Sequence, residues 1–389
     1  MLRVLTLSSL FPDASRPNFG VFVERQTLGL AAHPDVALTV VAPLGVPPWP
    51  LSRHRHYRAF TDLPEQEVWK GVEVLRPRFA VLPGTGGRYH VAAMRRAVWR
   101  AIAGRTFDVI DASFFFPDGP VAVGLGLKLD LPVSIKARGA DIHHWGRARA
   151  TAAQVVEAGK AADGLLAVSR AMREDMKAIG IPSEKIRVHH TGVDLARFVP
   201  LDRTAAKTAL GVSGPLVVSV GALIARKGHD VVIDAVARLD GVTLLIAGEG
   251  EARQALEARI ARLGLGERVR LLGSVPHDAL PALIAAADVM ALASSSEGLA
   301  NAWVEALACG TPIVITPAGG AEEVVTAPEA GRVVPREAGA FAAAIGELLA
   351  APPSVEAVRA HALGFTWEAN TAALHEHLAG LVTARQARG

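Results

Sequence analysis

Cysteine is nearly absent from this sequence. The one cysteine, Cys309, excludes an internal disulfide bond and suits a reducing compartment. Half of the residues are apolar, yet no uninterrupted apolar run approaches the roughly 18 residues of a transmembrane helix. The first strand-like run, residues 4–10, is followed by Pro12, Asp13 and Arg16 and lacks the apolar core and cleavage site of a signal peptide. We therefore expect a cytoplasmic protein.

Low-complexity tracts and short-period repeats are also absent, and 389 residues are too many for one ordinary core. Strand-like apolar runs alternate with helical patterns along the chain, which is typical of parallel sheets connected by helices. The alternation breaks near residues 199–202, and Gly211 to Pro215 follow a short helix. The sequence therefore predicts an α/β protein of two doubly wound domains with a cleft between them.

Charge is distributed unevenly along the chain. Residues 1–200 hold 26 basic and 18 acidic side chains, whereas residues 201–389 hold 15 and 20. Residues 50–105 alone hold 11 basic and 4 acidic side chains, and three tryptophans lie in or beside them. We expect this segment to bind an anionic membrane surface peripherally, or else to form the solvated basic face of an ordinary helix. No nucleic-acid-binding module accompanies it, so no nucleic-acid partner is expected.

The stretch over residues 294–312 lies between two strand-like runs and carries the strongest functional signal. Its apolar spacing predicts a short helix over residues 301–309, with Glu297 in the preceding loop and Glu305 inside the helix. Backbone N–H groups at a helix start bind anions, and carboxylates accept hydrogen bonds from sugar hydroxyls. The stretch therefore predicts a ligand that has both phosphate and sugar, namely a nucleotide sugar.

The pattern Glu-Gly-(x6)-Glu-Ala-(x2)-Cys-Gly-Thr-Pro in this stretch resembles the signature of the family-4 retaining glycosyltransferases of bacterial cell-surface polysaccharide or glycolipid type. Further similarities lie in Asn18-Phe19-Gly20, Arg138-Gly139-Ala140-Asp141, Ala162-Asp163-Gly164, Thr191-Gly192-Val193-Asp194 and Phe365-Thr366-Trp367-Glu368. The resemblance implies the GT-B fold, in which two Rossmann-like domains face each other across a cleft. Residues 1–200 and a returning helix at about 366–389 would bind the acceptor, and residues 201–365 the nucleotide sugar.

The resemblance also implies residue roles in the second half of the chain. Lys227 would hold the donor diphosphate, and Glu297 would support the transferred sugar as it gains positive charge. Ala222 stands where the family has an arginine, and whether Arg226 replaces that arginine is left open. The expected donor-binding residues are Gly20, Gly221, Arg226, Lys227, Gly248, Ser274, Gly298, Leu299, Ala300, Asn301 and Glu305.

Three residues after a strand of the first half are expected to act on the acceptor. Arg138 and Asp141 are predicted to take part in catalysis and His143 to bind the acceptor, because side chains of these types can orient a hydroxyl group. Neither His189-His190 nor His54-x-His56 has a carboxylate or cysteine partner at characteristic spacing, so no metal site is expected.

The expected activity is metal-independent transfer of a sugar from a UDP- or GDP-sugar to a glycan or lipid-linked acceptor, with no cofactor. A sugar-nucleotide epimerase on the same scaffold and a non-catalytic sugar-nucleotide sensor remain alternatives. A nicotinamide dehydrogenase also has two α/β halves. However, its glycine fingerprint fails here, because Gly124-Leu125-Gly126 lies on a helical pattern with Leu129 in place of the third glycine.

Overall fold

The computed structural model describes residues 1–17 and 19–387, except the side chains of Arg55 and His56. The chain forms two compact units. The first unit is Met1–Thr191 with Trp367–Gly389, and the second unit is Gly192–Thr366. Asn18, part of one quoted motif, lies outside the described residues.

The boundary between the units falls nine residues earlier than the predicted break at 200/201, and the return falls at 366/367. Residues 192–200 belong to the second unit because its own side chains and backbone hold them. The guanidinium of Arg359 donates to the backbone oxygens of Leu195 at 2.8 Å and Phe198 at 2.7 Å. The composition change near Pro200 marks a turn in the second unit rather than the division between units.

The first unit is built on a sheet with the strand order β10-β9-β8-β7-β1-β2-β5-β4 among the described residues. Neighbouring strands are parallel except β4, which pairs antiparallel with β5 at the edge. The strands are β1 Leu2–Leu7, β2 Val36–Val41, β3 Leu44–Val46, β4 Gln66–Trp69, β5 Val72–Leu75, β6 Arg78–Ala80, β7 Val109–Ala112, β8 Val133–Ala137, β9 Gly164–Ala167 and β10 Ile186–Val188. Strands β3 and β6 form a separate parallel pair.

Helices connect these strands as the alternating sequence pattern predicts. They are α1 Val21–Ala31, α2 Arg55–Asp62, α3 His90–Ala101, α4 Asp118–Leu129, α5 Ala152–Ala161 and α6 Arg170–Ala178. Strands β7, β8 and β9 are buried along their whole length, because helices cover both faces of a parallel sheet. The carboxyl ends of β1 and β7 are neighbours from which the chain leaves in opposite directions.

The second unit is a parallel sheet with the order β13-β12-β11-β14-β15-β16 in the described chain. Its strands are β11 Leu216–Val220, β12 Thr243–Ala247, β13 Val269–Gly273, β14 Val289–Leu292, β15 Ile313–Ile315 and β16 Gly331–Val333. Its helices are α7 Arg203–Ala209, α8 His229–Val236, α9 Arg253–Arg262, α10 Leu280–Ala285, α11 Asn301–Ala308, α12 Ala321–Val324, α13 Ala338–Ala350 and α14 Val355–Ala360. The strand order reverses between β11 and β14, and ligands of doubly wound sheets bind outside such a switch point.

The last helix, α15 Trp367–Gln386, packs on the first unit. Its Leu374 and Leu378 are buried with Leu30, Val109 and Leu166. Its backbone is held as well, because the backbone oxygen of Asn370 lies 2.8 Å from Nε2 of His189. The first unit therefore consists of two chain segments, one before and one after the second unit in sequence.

Candidate active site

Two loops meet at the switch point of the second unit, one after β11 and one after β14. Nζ of Lys227, from the first loop, lies 2.5 Å from Oε1 of Glu297, from the second. Nη1 of Arg226 lies 3.6 Å from Oε2 of the same carboxylate and donates to the backbone oxygen of Ser296. The structure therefore brings together two cations and one carboxylate that are 70 residues apart in sequence.

The pair between Lys227 and Glu297 is mostly shielded from water, with side-chain exposures of 15% and 8%. Charges interact more strongly in such a setting than they do in bulk water. The aliphatic part of Lys227 crosses Gly221, where an added Cβ would lie 3.5 Å from Cδ of the lysine. The lysine side chain thus lies at contact distance over Gly221 on its way to the carboxylate.

Gly248, after β12, allows the neighbouring loop to approach closely. Its φ is +154°, and a Cβ at this position would lie 1.9 Å from the backbone oxygen of Gly221. A larger residue would push the loop that carries Lys227 away from the sheet. The close approach of the two loops thus accounts for the glycine at position 248, and its donor-binding role stays a prediction.

His229, which was not predicted from the sequence, holds the loop after β11 in place. Its Nδ1 lies 3.0 Å from Oγ of Ser219, and its Nε2 lies 3.3 Å from the backbone oxygen of Ala222. Burial lowers the pKa of His229 to about 4, so the ring is neutral at pH 7. A neutral ring with its proton on Nε2 donates to Ala222 and accepts from Ser219. The residues around Ala222 are therefore held by a buried histidine.

Helix α11 begins at Asn301, as the sequence predicts, directly after the loop that carries Glu297. Gly298, Leu299 and Ala300 are buried and Asn301 is partly exposed. In the described chain no side chain caps this helix start, which is the arrangement that leaves a helix N-terminus suited to an anion. The backbone oxygen of Gly298 accepts from N–H of Gly320 at 2.8 Å, so the loop is anchored on its far side.

Glu305, just over one turn into α11, is 4% exposed. Its Oε1 lies 3.0 Å from Nε2 of His277, in the loop after β13. Ser274, in the same loop, is exposed. Cys309 follows α11 and is 1% exposed, and burial raises the pKa of its thiol to about 12. Cys309 is thus a packed, unreactive residue.

In the first unit, the loop after β1 ends at Gly20, the residue before α1. Gly20 has φ +65°, and a Cβ there would lie 1.7 Å from the backbone oxygen of Leu10. Only glycine fits this turn without displacing the loop. The structure thus accounts for Gly20 by the close packing of its own loop.

Asp141 has a different role from the one expected. Its carboxylate is fully buried and accepts from N–H of Phe115 at 3.1 Å, Arg138 at 3.0 Å and Gly139 at 2.7 Å. Burial raises the pKa of Asp141, and these N–H groups act in the opposite direction. A carboxylate committed to three backbone donors orders the loops after β7 and β8. It is a positioning residue and not a group that contacts an acceptor.

Arg138 and His143 lie at the same edge of the first sheet, and both have partners in the protein. Arg138 donates from Nε to the backbone oxygen of Ser113 at 2.7 Å and from Nη2 to Gln26 at 3.2 Å, and burial lowers its pKa to about 10. Nε2 of His143 lies 2.8 Å from Oδ2 of Asp175 in α6. His143 belongs to a π-helical turn, Asp141–Trp145, where a loop was expected.

Lys136 is a second buried cation that the sequence analysis missed. Its Nζ donates to Oε1 of Gln26 at 2.8 Å and lies 2.7 Å from Nδ1 of His189. Burial lowers the pKa of Lys136 well below its usual value. Lys136 lies in β8, which is buried along its whole length. In the sequence, a single lysine in such a strand looks like a solvent-exposed residue, so nothing indicated that it is buried.

Two general properties concern the described residues as a whole. Among them, no group of three or more histidine, cysteine, aspartate or glutamate side chains is arranged to hold a metal ion. Nor does the described chain contain a helix of the length and apolarity that crossing a bilayer requires.

Two family models match this chain, and together they cover most of it. The model described as "Glycosyltransferase Family 4" matches residues 28–197. The model described as "Glycosyl transferases group 1" matches residues 202–363. The two matches follow the two halves of the chain and meet near the predicted break.

Curated relatives are bacterial glycosyltransferases. TuaC of Bacillus subtilis (strain 168), named for teichuronic acid biosynthesis, is 28% identical over 358 residues, which is 88% of each chain. A D-inositol 3-phosphate glycosyltransferase of Mycolicibacterium gilvum (strain PYR-GCK) is 39% identical over 193 residues, which is 47% of this chain and 44% of that protein. The match to the second relative thus spans less than half of its length.

Solved structures share the whole architecture at low sequence identity. Sucrose-phosphate synthase from Thermosynechococcus elongatus superposes with a TM-score of 0.83 at 21% identity, covering 99% of this chain and all of that one. HepE from Anabaena, in complex with UDP and glucose, superposes with a TM-score of 0.75 at 20% identity, covering 98% of this chain and all of that one.

Two Rossmann-like units, each built on a doubly wound, mostly parallel sheet, give the chain the GT-B fold. The chain belongs to the family-4 glycosyltransferases. The resemblance that the Glu297 and Glu305 motif suggested is thereby confirmed.

Proposed function

We propose that this protein is a retaining, metal-independent hexosyltransferase that moves a sugar from a UDP- or GDP-sugar to a hydroxyl group of a glycan or lipid-linked acceptor. The observation that carries the proposal is the meeting of Lys227, Arg226 and Glu297 at the switch point of the second unit. Two cations can bind a diphosphate there, and a carboxylate beside them suits a sugar.

The cations supply the positive charge that the departing diphosphate requires. As the bond from the sugar C1 to the diphosphate breaks, negative charge grows on the phosphate oxygen, and Lys227 stabilises it. The acceptor oxygen bonds to C1 on the same face, and its proton passes to the leaving phosphate oxygen. Glu297 stabilises the positive charge on the sugar and forms no covalent bond. This reaction requires no metal ion or cofactor.

Arg226 takes the place of the arginine that is absent at Ala222. Its side chain reaches the same carboxylate as Lys227, although the two residues are adjacent and could have pointed apart. In the ligand-free protein both cations neutralise Glu297. A bound diphosphate would compete for them and release the Glu297 carboxylate toward the sugar hydroxyls.

The acceptor is assigned to the first unit. Arg138 and His143 are the side chains at its sheet edge that we assign to acceptor binding, and Asp141 holds the loop from which they project. TuaC is named for the synthesis of a cell-wall polysaccharide and HepE was crystallised with UDP and glucose. These relatives support a polysaccharide-type acceptor and a UDP-sugar donor for this chain.

We also assign the basic segment over residues 50–105 to an anionic membrane surface on the cytoplasmic side. Arg95, Arg96 and Arg100 of α3 are exposed. The side chains of Trp49 and Leu51 are 73% and 52% exposed. An exposed tryptophan beside basic residues suits the interface of an anionic bilayer. A lipid-linked acceptor would lie in such a membrane.

The test is thermal stabilisation by a panel of UDP-, GDP-, ADP- and dTDP-sugars. A ligand at 100 times its Kd raises the free energy of unfolding by about 2.7 kcal/mol, so the true donor is expected to raise Tm clearly above the others. The stabilising donor is then used with candidate acceptors in EDTA, and NMR reports the anomeric configuration of the product. Inversion, or turnover restored by manganese, contradicts the proposal. Release of nucleotide without an acceptor favours the epimerase.

A further inference from the structure

Glu305 depends on one protein partner. Within the described part of the chain, Nε2 of His277 at 3.0 Å is the only group that hydrogen-bonds its carboxylate, and it reaches Oε1 alone. The side chain of Glu305 is 5% exposed. A carboxylate removed from water this far requires hydrogen-bond donors, because an unpaired buried charge is costly.

The ring of His277 is itself held in one orientation. It packs edge-on against Phe198, with ring centroids 5.5 Å apart and an interplanar angle of 64°. Phe198 is 1% exposed, so its ring is held by the surrounding core and cannot move aside easily. The adjacent Asp278 forms an ion pair with Arg197, next to Phe198 in sequence. The loop after β13 is thus attached to the segment before α7 on two sides.

The arrangement leaves acceptor capacity on Glu305 for a ligand. A carboxylate has about four lone-pair sites, and His277 occupies one. Oε2 has no partner among the described residues, so two neighbouring hydroxyl groups can donate to the remaining sites. Nε2 of His277 donates to Oε1 and so fixes the orientation of the carboxylate.

The family resemblance implies that Glu305 accepts hydrogen bonds from the donor ribose. We propose that His277 is a positioning residue that orients the Glu305 carboxylate toward the 2′- and 3′-hydroxyls. The enzyme then selects ribonucleoside diphosphates over their 2′-deoxy counterparts. The proposal deepens the donor assignment and rests on the proposed function. Without His277 the carboxylate can rotate, so one of its two hydrogen bonds to the ribose is lost and the 2′-hydroxyl ceases to matter.

The experiment measures the Kd of UDP, GDP and ADP and of their 2′-deoxy forms for the wild type, His277→Ala and His277→Gln. A hydrogen bond to a charged group corresponds to roughly 10- to 150-fold in affinity, so the wild type should prefer its ribonucleotide by about that factor. The preference should fall several-fold in His277→Ala. His277→Gln, whose amide can still donate to Glu305, should retain part of it.

The matched control is His361→Ala, a histidine of the second unit that contacts Thr326, in which the preference should not change. Circular dichroism checks folding, and His277→Gln serves if His277→Ala fails to fold. An unchanged preference in both His277 variants overturns the positioning role while the donor assignment stands. A wild type that binds ribo and deoxy forms equally also overturns it. A wild type that binds no diphosphate overturns the proposed function and this proposal together.

Discussion

Lys227 and Glu297 form an ion pair that a bound donor would have to rearrange. The 2.5 Å contact neutralises both groups in a site that is largely closed to water. A diphosphate carries more negative charge than one carboxylate, so it attracts Lys227 more strongly. Under the proposed function, the carboxylate that the lysine leaves would be free to accept hydrogen bonds from the sugar hydroxyls. The ligand-free pair thus keeps two charged groups in place at little electrostatic cost.

Replacing Lys227 with alanine should lower kcat more than it raises the donor KM. The leaving diphosphate gains charge in the transition state, so the lysine binds it more tightly there than in the ground state. Loss of a charged hydrogen bond predicts a roughly 10- to 150-fold reduction. Arg226→Ala should act in the same direction but less strongly, because that side chain is 41% exposed.

Steady-state kinetics on these two variants would measure the effect, with Arg262→Ala as the control. Arg262 lies on the exposed face of α9, and its removal should leave both constants unchanged. A Lys227→Ala enzyme with nearly normal kcat would mean that the diphosphate is bound elsewhere.

The residues that the sequence did not reveal act through contacts between distant segments. Glu297, Glu305 and Lys227 were predicted because their motif is local. The pairing of Glu297 with Lys227 depends on two loops meeting across a sheet, so no local pattern contains it. His229 and His277 resemble ordinary polar residues in sequence, and only their contacts in the folded protein show what they hold. Asp141 was found for its position, but its backbone partners gave it another task.

At the scale of elements, the hydrophobic pattern predicted most of the strands and helices. Strands buried on both faces read as continuous apolar runs. The apolar runs over residues 216–220, 243–247 and 289–292 predict strands whose bounds coincide with β11, β12 and β14. Helix α13 was missed because Ala338–Ala350 is rich in alanine on every face. Helix α2 was missed because it is short and mostly polar, with only Tyr57 and Phe60 contributing to a hydrophobic cluster. The antiparallel edge strand β4 departs from the expected parallel sheet.

The loop between β11 and α8 should become less stable as pH falls, through His229. An unfolded histidine has a pKa near 6.5, whereas burial lowers that of His229 to about 4. The unfolded state therefore binds the proton first. The stability that His229 contributes is complete above about pH 6.5 and is lost as pH falls toward 4, by about 3 kcal/mol in all.

Urea unfolding of the wild type and His229→Gln at several pH values between 7.5 and 4.5 would measure this. Glutamine cannot titrate, so the wild type should be the more stable protein at pH 7.5 and should lose that advantage as pH falls. Other titrating groups cancel in the difference. His361→Gln should show no such trend, and a His229→Gln difference that stays constant with pH would contradict the prediction.

At the scale of the whole molecule, the two units differ in charge as well as in fold detail. The excess of basic residues over 50–105 lies in the first unit, whereas the second unit, residues 192–366, holds 14 basic and 19 acidic side chains. Helix α3 buries Met94 and Val98 completely, so its apolar stripe covers the sheet and is not available to a bilayer. Arg96 and Arg100 of this helix line a groove of about 580 Å³ together with Arg78. Attraction to a membrane would therefore come from charge and from the exposed Trp49 and Leu51.

The protein should float with phosphatidylglycerol-rich vesicles at low salt and much less with phosphatidylcholine vesicles. Basic side chains near an anionic surface contribute about 1 kcal/mol each, and salt screens them over about 10 Å at 0.1 M. Arg96→Glu with Arg100→Glu should therefore weaken flotation strongly, as should high salt. Trp49→Ala should weaken it at every salt concentration, because it removes apolar contact rather than charge.

The matched control is Arg238→Glu with Arg262→Glu, which changes the net charge equally but on exposed positions of the second unit. Equal loss in the two double variants would mean that net charge alone drives binding, and a wild type that never floats would leave the basic segment without a membrane role.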